Sequence, residues 1–294
     1  MIMKKESAVS KKRLSHAKII VHCIVRNEAR FIWYSLMSVL QYVDLAMVWD
    51  TGSTDDTVKI VSAINSPKIK FKQVGGVTVG TFTQVSQKML EQTPKQYTWM
   101  LVLDGDEVWP AESIEKVTAF AKSHPEYESI VVRSNNLVGD IYHRLPESAG
   151  QYHLAGHKGH LALRMVNIRQ IKGLHFDRPH GQRGLFDDSN QLIQDRPAAK
   201  IKFLDVAYHH ATHLPRSNTR SGDLLVPKRA GKLKYELGQS IPISEIPQVF
   251  FIPGRPAIVP PVTQKASLWF WLVAAILTPL RQLKRMILTP KSGY

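Results

Sequence analysis

From residue 17 onward the chain alternates short apolar runs with helical patterns, and this alternation constrains the fold more than any other feature of the sequence. The spacing predicts strands over 17–25, 45–49, 69–74, 98–103 and 129–133, and helices over 29–42, 55–64, 83–91 and 111–122. In the first helix Phe31, Leu36, Val39 and Leu40 supply the apolar stripe. Strands separated by helices of this length become neighbours in a parallel sheet through right-handed crossovers. The fold class is therefore α/β, a mostly parallel central sheet flanked by helices. Open sheets of this kind bind ligands at the carboxyl ends of their strands, so the residues that follow each strand matter most.

Beyond residue 134 the pattern loosens. Residues 135–215 are rich in His, Arg and Gly, with strand-like pieces at 161–166 and 201–206. Pro242, Pro247, Pro253, Pro256, Pro260 and Pro261 predict extended chain, and 218–262 reads as a Pro-rich linker. The last segment, 263–294, reads as an amphipathic helix. Its apolar run from Leu268 to Leu280 includes Trp269, Phe270 and Trp271, with Arg281, Lys284 and Arg285 directly after. The run is shorter than the roughly 20 residues that span a bilayer. It suits an interfacial helix with cations at anionic headgroups; the alternative is a helix docked on the protein's own core or on a partner.

Charge and cysteine usage narrow the setting. Lys plus Arg number 39 against 24 Asp plus Glu, a net charge of +15, which favours polyanionic partners such as nucleic acid, acidic lipid or a phosphorylated substrate. Residues 1–16 form a basic tail carrying Lys4, Lys5, Lys11, Lys12 and Arg13. Cys23 is the one cysteine, so no internal disulfide forms and a reducing compartment such as the cytosol is expected. It sits inside an apolar run, as a strand residue rather than a nucleophile. That run, Ile19 to Val25, is too short for a secretory signal and is followed at once by Arg26, Asn27 and Glu28.

Two acidic clusters stand where strands end. In the first, Asp50-Thr51-Gly52-Ser53-Thr54-Asp55-Asp56-Thr57, Gly52 allows a tight turn and Ser53, Thr54 or Asp55 caps the next helix. In the second, a strand apolar on both faces delivers Asp104-Gly105-Asp106-Glu107. Three clustered carboxylates repel one another unless a cation lies between them. Mg²⁺ or Mn²⁺, which take carboxylate and phosphate oxygens together, is the economical answer.

With Ile24-Val25-Arg26-Asn27-Glu28 before them, these two clusters resemble, in order and spacing, the inverting family 2 glycosyltransferases of the GT-A fold. The resemblance implies a GT-A nucleotide-diphospho-sugar transferase domain over 17–217 with a C-terminal extension. Its nucleotide-binding half would be 17–134 and its acceptor half 135–217. It also implies transfer of a sugar from a nucleotide-diphosphate donor to the hydroxyl of a sugar or lipid-linked acceptor, with Mn²⁺ or Mg²⁺ as cofactor. On this reading Arg26, Asn27, Glu28, Asp50, Gly52, Ser53, Asp55 and Asp104 bind the nucleotide, and Asp104 and Asp106 reach the metal. The strand around Arg164 and the segment Gly173–His180, which has Gly181 where relatives often carry Glu, resemble further family segments. The stretch Tyr208-His209-His210 resembles one that supplies another metal ligand or phosphate contact. Two consecutive histidines on a strand face opposite ways, so one of them faces the site, and His210 is the favoured metal ligand. Arg164, His180 and His209 are candidate acceptor or diphosphate contacts, and Lys158, Arg178, Arg183 and Arg216 add positive charge nearby. Asp140, Glu147 and Asp177 are the candidates for a base that deprotonates the acceptor hydroxyl.

The expected setting is the cytoplasm, peripheral on the inner face of the plasma membrane at an anionic surface, in envelope polysaccharide or glycolipid synthesis. Two other readings compete. A haloacid-dehalogenase-like phosphatase would use Asp104 as nucleophile, but that motif normally opens a chain rather than following a hundred residues. A basic nucleic-acid-binding protein would use the positive charge, but leaves both acidic turns unexplained and shows no recognition signature; no nucleic acid is expected as partner.

Overall fold

The structure is a computed structural model that describes residues 17–179 and 182–287. Eight strands form one sheet: β1 (Lys18–Val25), β2 (Leu45–Asp50), β3 (Ile69–Gln73), β4 (Tyr97–Val102), β5 (Glu107–Val108), β6 (Ser129–Asn136), β7 (Leu161–Asn167) and β8 (Ile201–His210). Their order is β3-β2-β1-β4-β7-β6-β8-β5. The pairs β3–β2, β2–β1, β1–β4 and β6–β8 are parallel. Helices α1 (Ile32–Val39), α2 (Thr57–Ser62) and α3 (Phe82–Glu91) make the crossovers that β1 to β4 require, and α4 (Ala111–Ser123) leads from β5 to β6. Strand β7 enters antiparallel between β4 and β6, and β5 pairs antiparallel with the end of β8. The sheet is mostly parallel, as the strand–helix alternation requires.

Alternation along β1 divides the interior into two layers. Ile19, Val21, Cys23 and Val25 face a core shared with Ile32, Leu36 and Val39 of α1 and with Ile114 and Val117 of α4. Ile20 faces the other way, with Met47, Trp49, Met100 and Met89 of α3. Burial, with the acidic residues beyond the strand, pushes the Cys23 thiol well above its ordinary value, which removes it from nucleophilic chemistry.

The structure departs from the sequence pattern where short pairings and long-range packing decide. Strands β6 and β8 run on to Asn136 and His210, because each continues to pair with the other. Strand β5 was not expected; two residues carry no period, and it exists through the pairing of Glu107 with His210 and Val108 with His209. The stretch 218–262, expected as an extended linker, contributes Ile241, Ile246, Val249, Phe250, Val259 and Val262 to the core beneath α1. Its prolines do fix extended backbone, but the apolar residues between them are what pack. The Phe250 ring lies 5.3 Å from Tyr34, whose hydroxyl donates to the Pro260 carbonyl at 3.0 Å.

The segment 218–262 also holds a short helix, α5 (Arg220–Leu224), and the chain ends its described part in α6 (Leu268–Ile287). Helix α6 buries Ala274 and Thr278 against the body and leaves Leu268, Trp269, Leu272, Ile276, Leu280 and Leu283 exposed. One face of the helix is therefore docked on the body and the other is open. No helix among the described residues is long and apolar enough to cross a membrane.

Candidate active site

The ends of β1 and β2 form a tightly bonded turn. Asn27 adopts a left-handed conformation, φ 54°, which asparagine tolerates better than most residues. Its backbone N–H donates to Ser53 Oγ at 2.8 Å, its Oδ1 accepts from the Thr54 N–H at 2.7 Å, and its Nδ2 donates to the Gly222 carbonyl of α5 at 2.8 Å. Asp55 accepts from the Thr57 N–H at 3.0 Å and from Ser217 Oγ at 2.7 Å. Both side chains are committed to holding elements together. Asp50 differs: Oδ2 accepts from the N–H groups of Gly52 and Ser53, each at 3.0 Å, while its buried Oδ1 has no partner. Gly52 sits at φ +90°, and a Cβ there would meet Gly76 Cα at 3.2 Å, so only glycine lets the turn and the following loop approach. Arg26 Nη1 donates to the Val77 carbonyl of that loop at 3.2 Å.

The acidic centre lies at the ends of β4 and β8. Asp106 is buried; its Oδ2 accepts from Arg216 Nη1 at 2.9 Å and lies 3.4 Å from His210 Nε2. Burial opposes its ionisation, but Arg216 and His210 hold its carboxyl well below the usual range. Glu107, also buried, accepts from Arg164 and, through Oε2, from the Asp104 N–H at 3.2 Å. Arg164 reaches Asp104 Oδ2 at 3.4 Å and the Tyr208 hydroxyl at 3.0 Å. The Asp104 side chain is 47 % exposed and lines the neighbouring cavity, which makes it the carboxylate of this group most open to a ligand. Glu28 accepts from Arg229 Nη2 at 2.5 Å, with Arg216 at 3.4 Å. Burial pushes Glu28 up to about 8 and Glu107 well above its ordinary value, against the pull of these arginines.

This donor set fits a hard divalent cation. Oxygens of Asp104 and Glu107 and a ring nitrogen of His210 lie within 4.8 Å of one another. Asp106 Oδ1 and Glu28 Oε2 are buried without hydrogen-bond partners. Around them Glu28, Asp104, Asp106, Glu107 and Asp223 meet Arg164, Arg216 and Arg229, five carboxylates to three guanidiniums. A divalent ion at this site would favour the ionised form of Glu107, which burial otherwise holds back. The group that can ligate differs from the expected Asp104, Asp106 and His210: Glu107 joins it, and Asp106 is held by Arg216 just beside it.

The remaining expected residues fall in several places. His210 lines the same cavity as Asp104, whereas His209 points the other way, fully buried, with neither ring nitrogen bonded. Its expected role as an acceptor or diphosphate contact is corrected by that burial, which follows from strand alternation. His180 lies outside the described residues. Of the base candidates, Asp140 is buried and accepts from the Tyr142 N–H, from His143 and from the Ala266 N–H, so it ties the approach to α6. Glu147 pairs with Arg133. Asp177 is exposed on a hairpin with residues 184–186. None of the three lines the cavity beside Asp104. Arg229 was not expected, because it lies in the stretch read as linker and no periodicity marks it. Its Nη1 and Nη2 reach the carbonyls of Asn27 and Arg26 as well as Glu28.

Residues 20–180 match the model of "Glycosyl transferase family 2", more than half of the chain. The chain belongs to that family. This sets aside the dehalogenase-like and nucleic-acid-binding alternatives. No curated protein matches the sequence. Among solved structures, S. aureus TarS residues 1–349 is similar with a TM-score of 0.46 and 18 % identity, over 66 % of this chain and 60 % of that one. The M. tuberculosis glucosyl-3-phosphoglycerate synthase, in complex with Mn²⁺, UDP and glucosyl-3-phosphoglycerate, gives 0.44 and 17 %, over 66 % of this chain and 72 % of that one. This family 2 chain thus spans about three fifths of the TarS fragment.

Proposed function

We propose that this family 2 chain transfers a sugar from a nucleotide-diphosphate donor to an acceptor hydroxyl, with inversion and with Mn²⁺ or Mg²⁺ at Asp104, Glu107 and His210. The observation that carries the reading is the gathering of ligating atoms of those three residues, within 4.8 Å of one another, at the ends of β4 and β8. When bound, the ion supplies Lewis-acid neutralisation of the departing diphosphate. The protein's own residues do the rest. Asp50 offers its unpartnered Oδ1 as an acceptor to the nucleoside, at the strand end where open sheets bind such groups. Arg164 and Arg216 fix the carboxylates in place, so their geometry does not reorganise when charge develops. The cavity on the far side of Asp104 receives the acceptor.

In this reading α6 docks the enzyme on an anionic membrane at the cytoplasmic face, where envelope polysaccharide or glycolipid acceptors are made. Its open apolar face and the cations of its last turns support that part.

A nucleotide panel tests the donor site. UDP, GDP, CDP or dTDP should raise the melting temperature in the presence of Mn²⁺, and Asp104→Ala should abolish the rise. No response to any nucleotide at any metal concentration would overturn the reading.

A further inference from the structure

The acceptor-side cavity, about 570 Å³, is bounded on one side by Asp104, Arg164 and His210 and on the other by a strap running through residues 230–237. Two bonds tie the strap to α6: the Leu237 N–H donates to Thr278 Oγ1 at 2.8 Å, and Glu236 pairs with Arg285. The strap alternates. Leu233, Tyr235 and Leu237 are exposed on its outer side, where Tyr235 lies 5.2 Å from Phe270 of α6. Lys232 and Lys234 line the cavity, and Arg285 joins them from α6.

Positive charge predominates among the described residues that line this end of the cavity. Asp104 is the one carboxylate among the described residues that line it. Arg164 and Arg285 are paired with Glu107 and Glu236, but neither lysine forms an ion pair among the described residues. Burial lowers the Lys234 ammonium below its ordinary value, with Glu236 opposing the shift and Arg285 and Arg281 adding to it. Two lysines outside any ion pair among the described residues and an arginine, all lining this end of the cavity, suit a dianionic group better than a neutral sugar face.

We propose that Lys232, Lys234 and Arg285 form an acceptor subsite for a phosphoryl group, so that the acceptor is a phosphorylated molecule whose hydroxyl lies toward Asp104. The inference rests on the glycosyltransfer reading above, but its site is separate from the donor turn at Asp50 and Glu28. The group can belong to a water-soluble phosphosugar or to a lipid-linked phosphate, and the two share the same contact chemistry. Because Arg285 belongs to α6, the helix with the open apolar face also supplies part of the subsite.

Calorimetry with inorganic phosphate tests it, on the full chain with Mg²⁺, UDP and GDP all present so that the donor site is filled. Phosphate should bind, and the Lys232→Gln/Lys234→Gln double variant should weaken it by about 10-fold or more. Lys234→Arg, which keeps the charge, should retain binding, and the double variant should keep the nucleotide affinity of the unchanged protein. Glucose 6-phosphate competing with phosphate identifies a soluble source; competition only by vesicles carrying a polyprenyl phosphate identifies a lipid source. Either supports the subsite. Phosphate that does not bind, or binds the double variant equally well, would overturn it. Should phosphate bind as expected while neither nucleotide does, the subsite stands and the donor reading falls.

Discussion

Arg229 and Glu28 are two hundred residues apart in sequence, yet each is nearly sealed from solvent and each depends on the other. Removing one partner of a buried pair leaves a charge with no compensation, so Arg229→Ala should cost about 3–5 kcal/mol in urea unfolding. A loss under about 1 kcal/mol would show that the pair does not hold the site. Two buried histidines contribute to the pH response. His22, whose ring bonds Thr93 Oγ1 at 2.8 Å, and His209, whose ring nitrogens have no partner among the described residues, are both lowered to about 3 by burial. In the unfolded chain each takes a proton below about 6.5, whereas the folded protein refuses it until about 3. The unfolded state then binds more protons, so the stability these two rings contribute is complete above pH 6.5 and falls as the pH drops toward 3. Each ring adds a slope of about 1.4 kcal/mol per pH unit in that window. His209→Leu should remove one such slope from stability measured against pH, and an unchanged profile would contradict the assignment. At this scale the sequence was legible where a motif carries the residue: Asp104, Asp106 and Glu28 do stand together. Arg229 was illegible, because an arginine far along the chain announces nothing until the fold returns it to β1.

Among elements, β1 to β4 and their helices could be read because β1, β2 and β4 are buried on both faces, β3 alternates half-buried with exposed residues, and each helix carries its own stripe, signals local to the segment. The antiparallel insertion of β7 and the two-residue β5 could not, because pairing across the sheet creates them. The stretch 218–262 makes the same point from the other side. Seven prolines suggest a tether, whereas Phe250 and its apolar neighbours fill the core under α1. Phe250→Ala should therefore destabilise the protein by about 3–5 kcal/mol in denaturant unfolding, as for a core aromatic. A change within about 0.5 kcal/mol, typical of surface positions, would return the segment to a linker.

For the molecule as a whole, the proposed membrane docking draws on the charge of +15 and the open face of α6 together. Vesicles containing anionic lipid should capture the protein and neutral vesicles should capture it weakly, with salt reducing the difference. Trp269→Ser with Ile276→Ser should abolish capture without lowering the melting temperature, since both side chains stand in solvent; undiminished flotation would show that the face serves something other than lipid. The central claim, however, concerns the acidic centre that the sheet assembles from β4, β5 and β8. Electron paramagnetic resonance of Mn²⁺ addresses it directly. In the presence of the nucleoside diphosphate that binds, the free-ion signal should fall in proportion to protein. Asp104→Asn and His210→Gln should each restore most of it, while Asp177→Asn leaves it unchanged. A free-ion signal that does not fall on adding protein and nucleotide, or that falls equally in Asp104→Asn, would contradict the account.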